Sequence, residues 1–386
     1  CALPISRDRR PLAGGRGDHD VTDVDALLAD LVRTESVSGD EARVASLAAD
    51  WLAARGARVT RIGENVVAEV GPDEGPTLLY LSHLDTVPIG DGWTRDPLAG
   101  AWEGDVLFGR GANDAKASVA AMMAAVAALA DGERLAGRLR LALTAREETD
   151  NAGVAEVLAA TGRPDAAVTG EPTGLEVVRA QAGLAVLTAT WKGTSCHAAH
   201  AARVPHVNAL LAAARDLATA PPAWTLGEAH PLLGASTAAV TVLSSGTRHN
   251  VVPDRAEAVI DARLAPPLAA EDARAFLATR LPHAEIGVRS DRLRAVETDA
   301  DHPLVRAAVA AAGRTAAVGS STLSDMAFLG GVPAVKCGPG ETARSHTPDE
   351  YVRRDELRAG ADFYARLAPT VLTALATAPV PEVETR

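Results

Sequence analysis

The chain has 386 residues, 47% hydrophobic and 23% charged, with a formal net charge of −12 at pH 7. That length exceeds one ordinary core and points to two domains, and the negative charge argues against a nucleic-acid backbone or an anionic membrane surface as a partner. Three widely spaced cysteines, Cys1, Cys196 and Cys337, do not read as a disulfide framework and suit a reducing compartment, the cytoplasm.

In chain order, residues 1–20 are rich in Arg, Gly and Asp, lack apolar periodicity and read as a disordered leader. Apolar positions at helical spacing predict helices over 21–36 and 38–56, the second with Ser38 as its cap and Gly56 as its stop. Strands are predicted at "ARVTRI", "NVVAEV" and "TLLYLSHLD". "DVLFGRG" (105–111) leads into a helix over 115–130, whose apolar run is too short to span a membrane. A strand over 138–149, a helix over 150–162 and a strand over 166–172 follow. Strands alternating with helices imply an α/β layer with a mostly parallel sheet.

After Gly183 the order becomes β-α-β-β-α-β, the ferredoxin-like unit. The helix–strand pattern resumes at 301–313. The expected division is therefore a domain of 21–182 with 295–386, interrupted by an inserted domain of 183–294.

The polar residues fall at particular places on this map. His83 and Asp85 are two apart at the end of one apolar strand, so they share a face. An Asp beside a His can fix its tautomer, as the partner of a metal ligand does. Asp114 lies between a strand and a helix. Glu147 and Glu148 end the strand "LRLALTAREE", Glu171 ends "AAVTGEP", and His346 sits in the loop "GPGETARSHTPDEY". Sites of open α/β sheets form at the carboxyl ends of the strands. Carboxylates gathered there without a cation would repel one another and raise each other's pKa. A divalent metal resolves this, and imidazole with carboxylate but no cysteine suits Zn²⁺ or a similar first-row ion.

The motifs "LSHLDTVP", "FGRGANDAKAS", "REETDNAG", "GEPT" and "GPGETARSHTPDEYV" resemble those of the di-zinc acetylornithine deacetylase and succinyl-diaminopimelate desuccinylase family, a branch of the zinc exopeptidases and aminoacylases. The resemblance covers about residues 22 to 375. It implies a zinc-exopeptidase-like α/β/α catalytic domain with an inserted ferredoxin-like α+β lid that also makes a homodimer. It implies two Zn²⁺, with Co²⁺ able to substitute: His83 and Glu171 on one, Glu148 and His346 on the other, Asp114 bridging. Asp85 would orient His83, Glu147 would be the general base, and His197 would donate to the oxyanion, often from the partner subunit. Arg263 and Asn250 match lid positions that contact substrate or shape the cleft. A cis peptide is implied at Asp114–Ala115. The sequence departs from the family at Ala117, where glycine is usual, and at Cys196, again in place of glycine.

The implied reaction is removal of an acyl group from a small N-acyl amino acid in arginine or lysine biosynthesis. The reading placed first is N-acetyl-L-ornithine, with acetyl-lysine, acetyl-citrulline or carrier-linked lysine as relatives. Succinyl-diaminopimelate comes second, because Gln181-Ala182 stand where that branch carries arginines that can meet an extra carboxylate. A zinc dipeptidase or carboxypeptidase is third. A non-catalytic zinc-stabilised binding protein is the rival of another class; it would have no use for Glu147.

Overall fold

The computed structural model describes residues 21–130 and 135–377; the leader expected over 1–20 lies outside them. The first segment forms α1 (Val21–Arg33), α2 (Ala42–Ala53), β1 (Arg58–Ile62), β2 (Asn65–Val70), β3 (Thr77–His83), β4 (Trp102–Glu103), β5 (Val106–Phe108), α3 (Lys116–Ala130), β6 (Arg138–Thr144), α4 (Ala152–Thr161), β7 (Ala166–Thr169) and β8 (Val178–Gln181). Next come β9 (Gly183–Lys192), α5 (Ala209–Leu217), β10 (Trp224–His230), β11 (Gly234–Ser245), β12 (Arg255–Leu264), α6 (Ala270–Arg280) and β13 (Glu285–Leu293). The last described elements are β14 (Val296–Glu297), α7 (Pro303–Ala311), β15 (Val318–Ser320), β16 (Ala334–Lys336), β17 (Tyr351–Arg353) and α8 (Arg354–Thr377).

The central sheet runs β1-β2-β6-β3-β7-β16-β8-β14, with β15 also beside β8. Its middle strands β6, β3, β7 and β16 are parallel. Alternation along β3 sends Leu78 and Tyr80 into one core and Leu79 and Leu81 into another. The first core is closed by α1, α2, α3, α7 and α8, and the second by α4 and the turn around Met326. This is the expected α/β/α layering. Helix α1 shows the usual logic: Val24, Leu27, Leu28 and Leu31 recur at helical spacing and all are buried. Helix α3 is Ala-rich and buried almost all round, because it is held between the sheet, α1 and α8.

The inserted elements have their own core and an antiparallel sheet ordered β10-β11-β12-β9-β13. Four of its strands follow ferredoxin-like order, and β10 is an addition the sequence did not suggest. Only Trp224 and Leu226 of β10 are buried, and its pairing to β11 breaks between Leu226 and His230, so the period-two signal is too short to read.

Two local expectations are corrected. Helix α2 begins at Ala42 with Glu41 at the cap position, so Ser38 is not its cap; Gly39, at φ +95°, turns the chain between them. The strand expected over 138–149 stops at Thr144, since Arg146 takes a left-handed conformation with φ +63°. Glu147 and Glu148 therefore occupy a turn, not an extended strand.

Candidate active site

The parallel strands β3, β6, β7 and β16 deliver their carboxyl ends to a cleft of about 700 Å³ that also receives the lid. His83 is the last residue of β3; Glu147 and Glu148 follow β6; Glu171 follows β7. Asp114 comes from the loop before α3, next to a cis peptide at Asp114–Ala115, and His346 from the loop before β17.

These six side chains converge. Asp114 Oδ1 lies 3.4 Å from His83 Nε2, and its other oxygen, Oδ2, lies 3.6 Å from His346 Nε2. His346 Nε2 is 2.8 Å from Glu148 Oε1. Ligand atoms fall within 4.8 Å of one another in three trios: His83–Asp114–Glu171, Asp114–Glu148–His346 and His83–Glu147–Glu148. The first two share only Asp114. All donors are nitrogen or oxygen, a set that fits a pair of first-row divalent ions.

The electrostatics show what the cluster lacks. Burial pushes the Glu171 carboxyl up to about 8; His83 opposes the rise and Asp114 adds to it. Burial raises Glu147 well above the carboxylate range, helped by Asp325, Glu171 and Glu148 and opposed by His83. Burial works against a charge on His83, but the carboxylates of Asp114 and Asp85 outweigh it and raise its pKa. Both Glu171 and His83 thus hold protons more tightly when folded than when unfolded. Between the unfolded value of 4.5 for Glu171 and its folded value near 8, the folded state binds more protons, so stability falls as pH rises. His83 acts in the same direction above its unfolded value of 6.5. Metal-free protein is accordingly expected to unfold at lower urea at pH 8 than at pH 5. Equal midpoints would show that Glu171 and His83 do not hold their protons more tightly in the folded state.

Asp85 has a second task beside the one implied. His83 Nδ1 meets the backbone carbonyl of Asp85 at 3.0 Å, while the carboxylate stands 3.6 Å away. The Asp85 carboxylate also accepts from the backbone N–H of Glu147 (3.0 Å) and of Glu148 (3.1 Å), and from Ser38 Oγ (2.6 Å). It anchors the turn that carries both glutamates. Burial opposes its charge, but His83 first, then Ser38 and the Glu147 N–H, hold its pKa at about 2.

Several contributors escaped the sequence. Glu350, 1% exposed, accepts from the backbone N–H of Asn113 and of Asp114, both at 2.9 Å, and from Arg110 Nη1 at 2.5 Å. Asn113 in turn ties down the loop of His346 through Glu341 and Ser345. Glu350 follows the "HTPD" motif directly, but nothing in the sequence marks it as the support of Asp114. Replacing it by Ala leaves the buried Arg110 without its carboxylate, with only the Ile89 carbonyl to accept from it. We expect a loss of about 3–5 kcal/mol in urea unfolding, as for other broken buried pairs; a loss under 1 kcal/mol would refute that support. Lys336, at the end of β16, and Thr322 line the cleft as well.

Of the lid residues, Arg263 lines the cleft and bonds Asp261 at 2.8 Å. His197 and Asn250 lie together on the lid, where Ala198 N–H donates to Asn250 O. Both are exposed, and neither lines the cleft among the described residues.

The model of peptidase family M20/M25/M40 matches residues 79–370. This chain belongs to that family. A succinyl-diaminopimelate desuccinylase of Acidiphilium cryptum is 32% identical over 375 residues, 89% of this chain and 97% of that protein. A second such desuccinylase, from Ruegeria sp., is 30% identical over 270 residues, 65% of this chain and 67% of its own length. Aminopeptidase PepT of Bacillus cereus shares the fold with a TM-score of 0.73 at 21% identity, covering 91% of this chain and 99% of that one. A dinuclear metal-binding peptidase of the M20 family from Bacillus subtilis does so at 0.71 and 19% identity, covering 92% and 98%. As an M20 family member the chain is a hydrolase of amide bonds. No helix among the described residues is long and apolar enough to cross a membrane.

Proposed function

We propose that this M20 hydrolase is a desuccinylase acting on an N-succinyl diamino acid of the diaminopimelate type. The order given by the sequence, with N-acetyl-L-ornithine first, is thereby reversed. What carries the reading is the Acidiphilium desuccinylase, which matches over nearly its whole length. The cleft supports it. Once Asp114, Glu147, Glu148, Glu171 and His346 are assigned to metal and catalysis, the charged residues still lining it are Arg263 and Lys336, both cationic. The side-chain ammonium of an ornithine would meet no carboxylate there, whereas a substrate with several carboxylates meets its counter-charges. In favour of acetyl-ornithine stand the absence of arginines at Gln181-Ala182 and the C-terminal "GPG…HTPDEYV" motif, which resembles that branch most.

In this reading His83 and Glu171 would hold one ion, Glu148 and His346 would hold the other, and Asp114 would be the ligand shared between them; zinc suits the donor set. When bound, the ion pair supplies Lewis acidity to the amide carbonyl and to the attacking water. Glu147 takes the proton of that water as the new C–O bond forms and gives it to the amine nitrogen, after which the amide C–N bond breaks and the amine leaves. Asp85 fixes the turn from which Glu147 acts. Arg263 offers a planar guanidinium to a substrate carboxylate.

A screen of zinc-loaded protein tests the substrate. Succinyl-diaminopimelate should exceed acetyl-ornithine, acetyl-lysine and acetyl-citrulline in kcat/KM by at least about tenfold, the low end of what leaving a buried polar group unpaired costs. Preference for any acetyl substrate would reject the assignment.

The chain is proposed to dimerise through the lid, residues 183–294. Val204, Val207, Leu210, Leu211, Val242 and Leu243 are large apolar side chains left exposed there. Pairing of β10 reaches β11 only as far as Ala238, so that edge of β11 is open from Ala239 onwards. Because His197 stands outside its own chain's cleft, it fits a donor acting in the partner's site. His197→Ala should keep its metal and lose turnover more than substrate affinity. Mixing it with Glu147→Gln subunits should restore part of the activity; no recovery after verified subunit exchange would reject sharing between subunits.

A further inference from the structure

Lys336 is 1% exposed, yet it forms part of the cleft wall. Its Nζ donates to Thr322 O and Thr322 Oγ1, both at 2.8 Å, and to Ser320 Oγ at 3.3 Å. All three acceptors are neutral, and among the described residues no carboxylate stands in ion-pair contact with it. Arg263, the other cation of the cleft, is already engaged by Asp261 at 2.8 and 3.2 Å. Glu171, Glu147 and Asp114 favour its charge through space, but a buried ammonium with no carboxylate in direct contact is still costly to keep unless an anion arrives to meet it.

Its position suits a particular anion. Strand β16 lies parallel to β7 with Lys336 opposite Thr169, two residues before Glu171. The ammonium therefore flanks the wall that carries the proposed metal set. In a four-carbon dicarboxylic acyl group the free carboxylate is three bonds from the scissile carbonyl carbon. A carbonyl held by the metal set leaves that carboxylate close by. The bond to Ser320 is the longest of the three, and Ser320 keeps Thr322 Oγ1 as a second partner at 2.8 Å. That donor can turn to a ligand with little loss.

We propose that Lys336, steadied by Thr322, is the counter-charge for the free carboxylate of the acyl group and so sets the preference for dicarboxylic over neutral acyl chains. The proposal rests on the deacylase reading above and deepens it. Arg263 is left to the carboxylate of the amino-acid half.

The test compares an N-succinyl amino acid with its N-succinamoyl analogue, which has the same shape but ends in a neutral carboxamide. In Lys336→Met the ratio of kcat/KM for succinyl over succinamoyl should fall roughly 10- to 100-fold, the range of a charge-assisted hydrogen bond. Lys336→Arg should restore most of it. Metal content, measured on the same samples, should equal that of the wild type. An equal loss on both substrates, or loss of metal, would show that Lys336 merely balances Glu171 and would overturn the proposal. Calorimetry with succinate and succinamate separates this from the reaction itself. Succinate should bind the metal-loaded wild type and lose at least about tenfold in affinity in Lys336→Met, while succinamate should not. Wild type that binds succinate in this manner but cleaves neither amide would refute the deacylase reading and leave the subsite standing. Succinate affinity unchanged by the substitution would refute the subsite.

Discussion

Glu147→Gln protein should keep its metal and lose at least about 10²-fold in kcat, the lower end of what a positioned general base contributes. The substitution preserves size and the 3.3 Å contact with Asn151 Nδ2, but removes the ability to take a proton. The measurement has to include metal content, because Glu147 also lies within 4.8 Å of His83 and Glu148 ligand atoms. Retained metal with lost turnover identifies a base. Lost metal would make Glu147 a ligand, and near-normal turnover would remove it from catalysis. KM should change little, since a base acts in the transition state and not in ground-state binding.

The second large effect concerns Asp114. Its two oxygens face His83 and His346 separately, so Asp114→Ala withdraws a ligand from both trios at once. Metal analysis should show at least one ion lost of two, and turnover should fall to background. Added metal should also cease to raise the unfolding midpoint of the variant as it does that of the wild type, because stabilisation by a ligand follows its affinity for the folded state. Two ions fully retained would remove Asp114 from the centre of the site. Replacement by Asn would separate geometry from charge: it keeps one acceptor oxygen but cannot serve two cations equally.

Much of this site could be read from the chain because the relevant chemistry sits where apolar strands end. His83 and Glu171 follow runs of buried β residues, and an imidazole or carboxylate stands out against such a run. Lys336 ends a buried strand just as plainly, but a single lysine there matches no motif, and only packing shows that it faces the cleft. Gln181-Ala182, where a counter-charge would be readable from sequence, lie one strand away from Lys336. Ser38 looked like a helix cap because serine commonly is one; its hydroxyl is bound to Asp85 across 47 positions of sequence. Glu147 and Glu148 were placed on a strand since "RLRLALTAREE" alternates without a break, and the left-handed turn at Arg146 has no glycine to announce it. The place of Asp85 beside His83 was legible, but its hold on the turn of Glu147 and Glu148 was not, because those partners are backbone N–H groups that carry no residue identity. The lid's ferredoxin-like order was legible from periodicity, whereas β10, half of it unpaired, was not.

The insertion of the lid between the neighbouring strands β8 and β14 has a consequence for synthesis on the ribosome. His83, Asp114, Glu147, Glu148 and Glu171 all emerge before the first lid residue, and His346 emerges after the last. Strand β16, which covers one edge of β7, also emerges late. While the lid is being made, an interval of roughly 5–20 s at ordinary elongation rates, the nascent sheet stops at β7 with an open edge, β8 has no strand to join it to β7, and the acids wait for their sixth partner. An open apolar edge is a template for aggregation. The lid, with a core of its own, can fold during that interval and stand beside the gap until β14, β15 and β16 arrive. The order of genes segments is thus also an order of assembly: scaffold first, cover second, and the histidine that completes the centre last.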